Sequence, residues 1–478
     1  MRRAPWFLCV ACLAPFLACG SGTSDSAPGG GDTSSSTTGG NVGSGGNTSG
    51  GGPGAGGALG SGGQATGGGS SSGGGTSTLF QVEAHLASED DAKAPTTVGI
   101  VSWSILGGTP SSATIQFGLT TDYGMQAPVD VTAEELRTLL LGMKPEHTYH
   151  FRITAELSGE SLVSEDYTLT TGSAPPETLV DPIKYEVLSA AQREPGFIVT
   201  SYWNETQPGM VFILDPDGDV VWWYNSGLSS GVGRAAISDD GRDMWMISAA
   251  ASLNEPLRRV GMDGLGLQTY SNVVGSHDII PMEGDVMAFV GLITATEVNR
   301  AGQTKAIFPI LDVSAIPPPH CNALGYNKAL GTYVVSDLTE DVYMFPRAGG
   351  TPENIELLTS ILGPNSGWGG FQHGVQLLSN NHLLMFANNE GQDLSTAIEY
   401  NLDDGEEVWR YEGNQYSANF GGVQRLPGGN TLVTYSNAGV IHETTPEQVK
   451  VLEITTDEHL GYATWRPSLY GPSVDVEE

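Results

Sequence analysis

The chain has 478 residues, and 25 of its 66 glycines lie between Gly20 and Thr78, where Gly, Ser and Thr make up 46 of 59 residues. Such a segment cannot bury enough apolar surface to offset the entropy of ordering, so we predict a disordered linker over residues 19–78. The net charge of −34 falls on the rest of the chain, because the first 78 residues hold two basic and two acidic groups. A surface this acidic excludes nucleic acid and anionic lipid as electrostatic partners.

The N-terminus predicts export. Arg2 and Arg3 precede an apolar run, Ala4 to Ala18, that is too short to span a membrane. The run ends in Phe-Leu-Ala-Cys19-Gly20, which resembles a bacterial lipobox. The resemblance implies a signal peptide over residues 1–18, lipidation of Cys19 and, since Gly20 follows, an outer-membrane location in a Gram-negative-type bacterium. An ordinary secretory signal cleaved nearby is the alternative.

The cysteine count limits the mature protein to one thiol in its folded part. Cys9 and Cys12 leave with the signal, and Cys19 carries the lipid, so only Cys321 remains. No intramolecular disulfide can form, and the fold must depend on its core. A single cysteine is more often a small buried hydrophobe than a nucleophile.

Residues 79–174 show short alternating strands separated by turn residues, as in Thr97–Trp103 and Ser112–Gly118. This pattern predicts a β-sandwich. The stretch Leu141–Ile153 resembles the fibronectin type III signature, in which a tyrosine, here Tyr149, forms a corner before a strand. The resemblance implies a spacer or docking module, because the fold itself carries no chemistry.

Residues 178–478 contain a repeat rather than helical periodicity. Each unit has a polar or small residue, a short apolar strand, a turn and a second apolar strand. The unit starts are Phe197, Arg234, His277, His320, His373 and Gly422. A second hairpin with an Asp-Gly turn recurs at Asp215–Tyr224 and Asn401–Tyr411, with a weaker echo near Trp465, and we assign it to the outer strands.

The unit starts are 37 to 53 residues apart, which is the blade period of a β-propeller. We therefore predict an all-β protein: a disordered linker, a small sandwich, and a six-bladed propeller closed between the region after Tyr185 and the C-terminus.

Three of the nine histidines fall at the same repeat position. His277, His320 and His373 each begin the innermost strand of a blade, and Arg234 and Gly422 hold that position in the flanking units. Innermost strands line the central channel, so we expect the three imidazoles to converge at one mouth.

The motifs around these histidines resemble the bacterial arylsulfate sulfotransferases. They are Ser276-His277-Asp278-Ile279, His320-Cys321-Asn322-Ala323-Leu324 and Gln372-His373-Gly374-Val375-Gln376, followed by Leu383–Asn388 and Val423–Leu432. The resemblance covers most of the propeller and none of the sandwich or linker.

The resemblance implies transfer of a sulfuryl group from an aryl sulfate donor to a phenol acceptor, without a nucleotide donor or another cofactor. It makes His373 the nucleophile that is transiently sulfurylated, and His277 and His320 the residues that bind the sulfate and move protons. A neutral imidazole is a capable nucleophile near neutral pH. Preorganised donors stabilise charge on the transferred group, and Asn322 is a candidate donor.

One position departs from the family. An arginine expected after the strand that follows the second histidine is absent, since the stretch reads Ser336-Asp337-Leu338. A lost guanidinium removes a two-pronged clamp on an anion. Arg234, Arg425 or Arg347 is expected to compensate, with Arg234 favoured by its place in the repeat.

Two other functions fit the same residues. Three histidines can hold zinc or copper with an open fourth position. Alternatively, a surface-anchored propeller binds carbohydrate, a phenolic ligand or protein, and its histidines are vestigial. His382, His442 and His459 fall outside the shared position, and we expect them in turns or on strand surfaces.

Overall fold

Extended strands make up most of the computed structural model, which describes residues 79–203, 209–249, 255–275, 277–291, 294–309, 321–337, 342–348, 356–357, 372–389 and 393–472. The predicted signal peptide, Cys19 and linker lie outside these residues. Two short helices, α1 (Ala87–Asp90) and α2 (Glu177–Val180), occur in the described part. No helix there is long and apolar enough to cross a membrane.

The first folded region is a two-sheet sandwich. Its strands are β1 (Phe80–Leu86), β2 (Gly99–Ile105), β3 (Ser112–Gly118), β4 (Met125–Pro128), β5 (Leu136–Leu140), β6 (Thr148–Leu157), β7 (Glu160–Val163) and β8 (Tyr167–Thr170). One sheet has the order β1-β2-β5, and the other has the order β4-β3-β6-β7 with β8 also on β6. The predicted tyrosine corner is present, because the Lys144 N–H donates to Tyr149 Oη at 2.8 Å.

The second region contains the remaining strands. They are β9 (Lys184–Val187), β10 (Phe197–Ser201), β11 (Met210–Leu214), β12 (Val220–Asn225), β13 (Val232–Ile237), β14 (Asp243–Ser248), β15 (Pro256–Gly261), β16 (Gln268–Val274), β17 (Ile279–Met282), β18 (Val286–Val290), β19 (Thr294–Asn299), β20 (Thr304–Pro309), β21 (Cys321–Asn327), β22 (Thr332–Asp337), β23 (Val342–Pro346), β24 (Glu356–Leu357), β25 (Gln372–Leu377), β26 (His382–Ala387), β27 (Thr396–Asn401), β28 (Glu407–Tyr411), β29 (Gly422–Arg425), β30 (Thr431–Tyr435), β31 (Val440–Thr444), β32 (Lys450–Thr455) and β33 (Thr464–Arg466).

Within the described residues of this region, the strands form six antiparallel sheets, which confirms the six-bladed propeller. From the channel outward, blade one is β33-β10-β11-β12 and blades two to five are β13 to β16, β17 to β20, β21 to β24 and β25 to β28. Blade six is β29 to β32, with β9 at its outer edge. The innermost strands line a central cavity.

Strands from the two ends of the propeller region close the ring, and two expectations about blade one were wrong. The repeat around Phe197 supplies the second strand of blade one, because the C-terminal β33 pairs inside β10. The echo at Trp465 therefore lies on an innermost strand and not on an outer hairpin. The other two Asp-Gly hairpins do join outer strands, β11 to β12 and β27 to β28.

Each blade is covered on both faces by its neighbours, so the middle strands are apolar throughout rather than alternating. All six residues of β14 are buried, as are all five of β30. Tight turns between such strands need left-handed backbone. Gly218 has φ +93° and closes the β11–β12 turn through a hydrogen bond from its N–H to Asp215 O at 3.0 Å.

The sandwich is attached to the propeller through apolar and polar contacts. Val98 and Leu141 of the sandwich share one buried cluster with Trp222 of blade one. Tyr470, which follows β33, accepts the Leu141 N–H at 2.7 Å through its hydroxyl. The Lys144 ammonium contacts the carboxylates of Asp215, Asp217 and Asp219 at 3.3, 2.7 and 2.7 Å.

Candidate functional site

The start of the inner strands forms a mouth of the channel, and aromatic rings gather there. We call the set His277, His373, Phe420, Trp203 and His459 the histidine mouth. The rings of His277 and His373 lie 6.3 Å apart between centroids and are inclined by 28°. Phe420 stacks on His277 at 5.0 Å and lies 5.8 Å from His373. Two of the three predicted histidines are thus brought together.

A β-bulge aims His373 into this mouth. The pairing of β25 with β26 shifts between His373 and Val375, so that Gly374 is the extra residue. Gly374 has φ +53°, and a Cβ there would lie 2.6 Å from Gly422 Cα, so only glycine fits. Bulges re-aim side chains at functional sites.

The same bulge recurs in two other innermost strands and corrects the predicted register. Gly233 is the extra residue in β13 and Asn322 is the extra residue in β21. His373 precedes its bulge residue, whereas Arg234 follows Gly233, so the two are two positions apart in the repeat. The residue of β21 that corresponds to His373 is Cys321, one position after His320. His320 itself lies outside the described residues.

The tautomer of His373 follows from its partner. His373 Nδ1 lies 2.7 Å from Asn388 Oδ1. The Asn388 amide nitrogen donates to the carbonyls of Ser417 and Phe420, both at 2.7 Å, which fixes the orientation of the amide. Asn388 Oδ1 must then accept a hydrogen bond from the His373 Nδ1–H, and the lone pair of the neutral ring is on Nε2.

His277 has an unusual backbone. Its φ is +71°, in the left-handed region that a histidine adopts at a cost of roughly 1–2 kcal/mol. Its N–H donates to Ser248 O at 3.2 Å, and its side chain is buried. Such strain, when the surrounding structure maintains it, is a marker of functional positions.

Arg234 is held by the residue after His277. Its Nη1 donates to Asp278 Oδ1 at 2.7 Å, and its guanidinium lies over the Tyr462 ring at 5.6 Å. Asp278 is fully buried, and its other oxygen accepts the Leu324 N–H at 2.8 Å. Burial raises the pKa of Tyr462 well above its usual value, so this ring stays neutral. The network joins blades two, three and four below the histidine mouth.

Asn322 supports the strand that carries His373. It is buried, and its Nδ2 donates to Gln372 O at 3.3 Å. Its Oδ1 has no hydrogen-bond partner among the described residues. One of the two Nδ2 hydrogens is therefore already used. Only the second Nδ2 hydrogen could serve the predicted role of a direct donor to substrate.

Other predicted residues lie elsewhere. Arg425 points away from the channel, forms an ion pair with Glu399 and lies over Trp409 at 5.3 Å. The Arg347 Nε donates to Glu297 Oε1 at 2.8 Å, away from both described histidines. Leu338 is outside the described residues.

The expectation for His442 was wrong, because this residue is fully buried in blade six and not on a strand surface. His382 is half-buried and bonded to Glu399, and His459 is exposed beside Trp203, at 5.1 Å between ring centroids. Asn388 and Phe420 were missed, although Asn388 closes the motif that begins with Leu383.

Cys321 is a buried thiol, as predicted. It is 3% exposed and belongs to an apolar cluster, and burial together with the nearby Asp337 carboxylate raises its pKa well above the usual range. It is therefore a poor nucleophile. Among the described residues, no group of three His, Cys, Asp or Glu side chains could hold a metal ion, and the third predicted ligand, His320, is outside that part of the chain.

Known proteins resemble this chain in fold. No protein-family model matches the sequence, and no curated protein matches it. Similar solved structures include virginiamycin B lyase from Staphylococcus aureus (12% identity over 56% of this chain and 88% of that one, TM-score 0.39). Also similar is a protein of unknown function from Bacteroides caccae (16% identity over 56% of this chain and 98% of that one, TM-score 0.41). A third is the WD40 β-propeller domain of Doa1 (10% identity over 58% of this chain and 88% of that one, TM-score 0.40). Likeness at this level carries no information on activity.

Proposed function

We propose that this protein transfers a sulfuryl group from an aryl sulfate to a phenol through His373. The observation that carries the proposal is the pairing of His373 Nδ1 with Asn388 Oδ1 at 2.7 Å, which leaves the ring's lone pair on Nε2. A buried, oriented neutral imidazole is suited to nucleophilic attack at neutral pH.

The reaction then has two displacements. His373 Nε2 attacks the sulfur, a nitrogen–sulfur bond forms, and the bond from sulfur to the aryl oxygen breaks. The departing phenolate takes a proton. In the second step the acceptor phenol oxygen attacks the same sulfur, the nitrogen–sulfur bond breaks, and the phenol proton is released to a base. His277, 6.3 Å away between ring centroids, is the proposed proton carrier, with His320 as the other candidate.

Charge on the three sulfate oxygens needs donors. Arg234, positioned by Asp278, is the proposed substitute for the arginine that the stretch ending in Leu338 lacks, and Asn322 is a proposed second donor. Phe420 and Trp203, 4.8 Å apart between centroids, offer an aromatic wall for the ring of the donor or acceptor.

We also propose that the protein acts from a lipid anchor at Cys19, with residues 20–78 as a tether and the sandwich as a fibronectin type III-like spacer. A flexible chain of 59 residues reaches roughly 40–45 Å, enough to hold the propeller away from the membrane.

The test is incubation with 4-nitrophenyl sulfate, with and without a phenol acceptor. We expect acceptor-stimulated release of 4-nitrophenol, and a burst of one equivalent without acceptor. His373→Ala should abolish both, by at least about 10³-fold, because no other group forms the intermediate. The control is His147→Ala, a residue exposed on the sandwich.

Unchanged activity in His373→Ala would refute the histidine intermediate. If the folded wild type leaves every aryl sulfate intact, the propeller is better explained as a binding module for carbohydrate, phenolic ligand or protein.

A further inference from the structure

The central channel contains a cavity of about 400 Å³ below the histidine mouth. Its upper wall includes Arg234 and Gly374, near the starts of the inner strands. Its lower wall reaches Lys328 and Ser379, which are exposed residues in turns at the opposite ends of those strands. The cavity thus opens at the end of the propeller opposite the histidines. Its size falls in the range of small-molecule pockets, roughly 300–1,000 Å³.

The charged side chains that line this cavity are all positive. Arg234, Lys328 and Arg466 line it, and no carboxylate does so among the described residues. This is unexpected in a chain with a net charge of −34. Arg234 is paired with Asp278 at 2.7 Å, and Lys328 with Glu283 at 2.6 Å. Arg466 forms no ion pair with any described carboxylate.

Arg466 is a buried cation with a remaining donor. The residue is 2% exposed, its Nε donates to Ser468 O at 3.1 Å, and its Nη2 donates to Gly471 O at 2.6 Å. These two bonds fix the guanidinium, and Nη1 has no hydrogen-bond partner among the described residues. Burial lowers the Arg466 pKa to about 10, while Asp239 at longer range raises it, so the group is charged at neutral pH.

Most of the remaining wall is apolar, although uncharged polar side chains also line it: Asn327, Gln376, Ser379, Gln424 and Thr464. Val199, Ile280, Leu324, Val375 and Val423 come from five different inner or adjacent strands and surround the space above Arg466. Thr464, two residues before Arg466 on β33, accepts from Arg234 at 3.4 Å and marks the upper end. Two residues of a strand span about 6.6 Å, so Thr464 and Arg466 are separated by roughly this distance along β33.

From these observations we propose that the channel binds a small organic anion, with its carboxylate or sulfate on Arg466 Nη1 and its apolar body between the inner strands. A buried charge without a counter-ion is costly, and an anionic ligand would remove that cost. The site is distinct from the histidine mouth and does not depend on the proposed transferase activity.

The test is isothermal titration calorimetry of the full chain with 4-hydroxybenzoate, a probe with an aromatic body and one carboxylate. We expect 1:1 binding, and binding at least about 10-fold weaker for Arg466→Met, because a hydrogen bond to a charged group is lost. Val423→Phe enlarges a side chain of the channel wall and leaves Arg466 itself unchanged, and it should also weaken binding at least about 10-fold. The neutral analogue 4-hydroxybenzamide should bind at least about 10-fold more weakly than the acid.

His373→Ala should leave this binding unchanged, which separates the proposal from the transferase activity. Loss of binding in His373→Ala with retention in Arg466→Met would overturn it, and so would absence of wild-type binding at about 10 mM probe. Equal affinity for inorganic sulfate and 4-hydroxybenzoate would refute the apolar part of the site. If Arg466→Met does not fold, the binding measurements with Val423→Phe and with 4-hydroxybenzamide test the proposed anion site.

Discussion

The histidine mouth and the interior of blade six each bury a histidine, but the two rings have different partners. His373 is 5% exposed and donates from Nδ1 to the amide oxygen of Asn388. His442 is fully buried, with Nε2 2.9 Å from Glu453 Oε2 and Nδ1 3.1 Å from Tyr411 Oη. A carboxylate accepts, so His442 carries its proton on Nε2 and its Nδ1 accepts from the tyrosine.

The difference shows that the partner, and not burial, decides which ring nitrogen of an imidazole carries the lone pair. The lone pair of His442 is occupied by the Tyr411 hydroxyl, so this ring is a structural bridge between strands β28, β31 and β32. The lone pair of His373 is on Nε2, because its Nδ1–H is donated to the Asn388 amide. The two rings therefore lead to different predictions, one on stability for His442 and one on activity for His373.

The largest expected effect concerns stability and pH. Burial, with a contribution from Lys450, lowers the pKa of His442 to about 4, against 6.5 for a free histidine. The unfolded chain therefore binds more protons than the folded chain between these values, and stability falls as the pH decreases from 6.5 to 4. The full loss is about 3 kcal/mol, of which about 2 kcal/mol appears between pH 7 and pH 5.

Urea unfolding at pH 7 and pH 5 measures this loss. His442→Gln should lose about 2 kcal/mol less than the wild type between the two pH values, because its side chain does not titrate. His147→Gln, on the exposed surface of the sandwich, should behave like the wild type. Equal pH slopes for His442→Gln and wild type would show that this ring is not the source.

The next effect concerns the partner of His373. Asn388→Ala removes the acceptor that orients the ring, and we expect kcat for 4-nitrophenyl sulfate to fall about 10- to 100-fold with little change in KM, as for other groups that orient a reacting histidine. The matched control is Asn327→Ala, another buried asparagine whose Nδ2 donates to a backbone carbonyl, here Leu377 O at 2.9 Å. It should lose stability but keep kcat. Equal kcat losses in the two variants would indicate a structural effect only.

The fold could be predicted from the sequence because the blade repeat is local. Each unit carries its own apolar strands and Asp-Gly turn, so the spacing of unit starts was enough to count six blades. Ring closure could not be predicted in the same way. The pairing of Trp465 with Ile198 joins residues from opposite ends of the propeller, and no local pattern encodes it.

The site was predicted only in part. Sequence spacing brought His277 and His373 together, but it placed Arg234 at the same repeat position, since a one-residue bulge at Gly233 or Gly374 is invisible to a count of residues. Asn388 was missed because its role depends on the orientation of its amide. His442 was assigned to a surface because blade strands that are buried on both faces do not alternate polar and apolar residues.

The smallest effect tests whether the Tyr411 hydroxyl holds His442 in place, and the cluster supplies its own control. Tyr411 and Tyr435 both lie against the His442 ring, at 6.0 and 5.4 Å between centroids. The Tyr411 hydroxyl bonds to His442, whereas the buried Tyr435 hydroxyl has no hydrogen-bond partner among the described residues.

Tyr411→Phe leaves His442 Nδ1 unsatisfied and should lower the free energy of unfolding by about 1–2 kcal/mol, measured by urea unfolding at pH 7. Tyr435→Phe removes a hydroxyl that is already desolvated without compensation, so it should be neutral or stabilising. Equal costs for the two variants would mean that the contact between Tyr411 and His442 contributes packing alone.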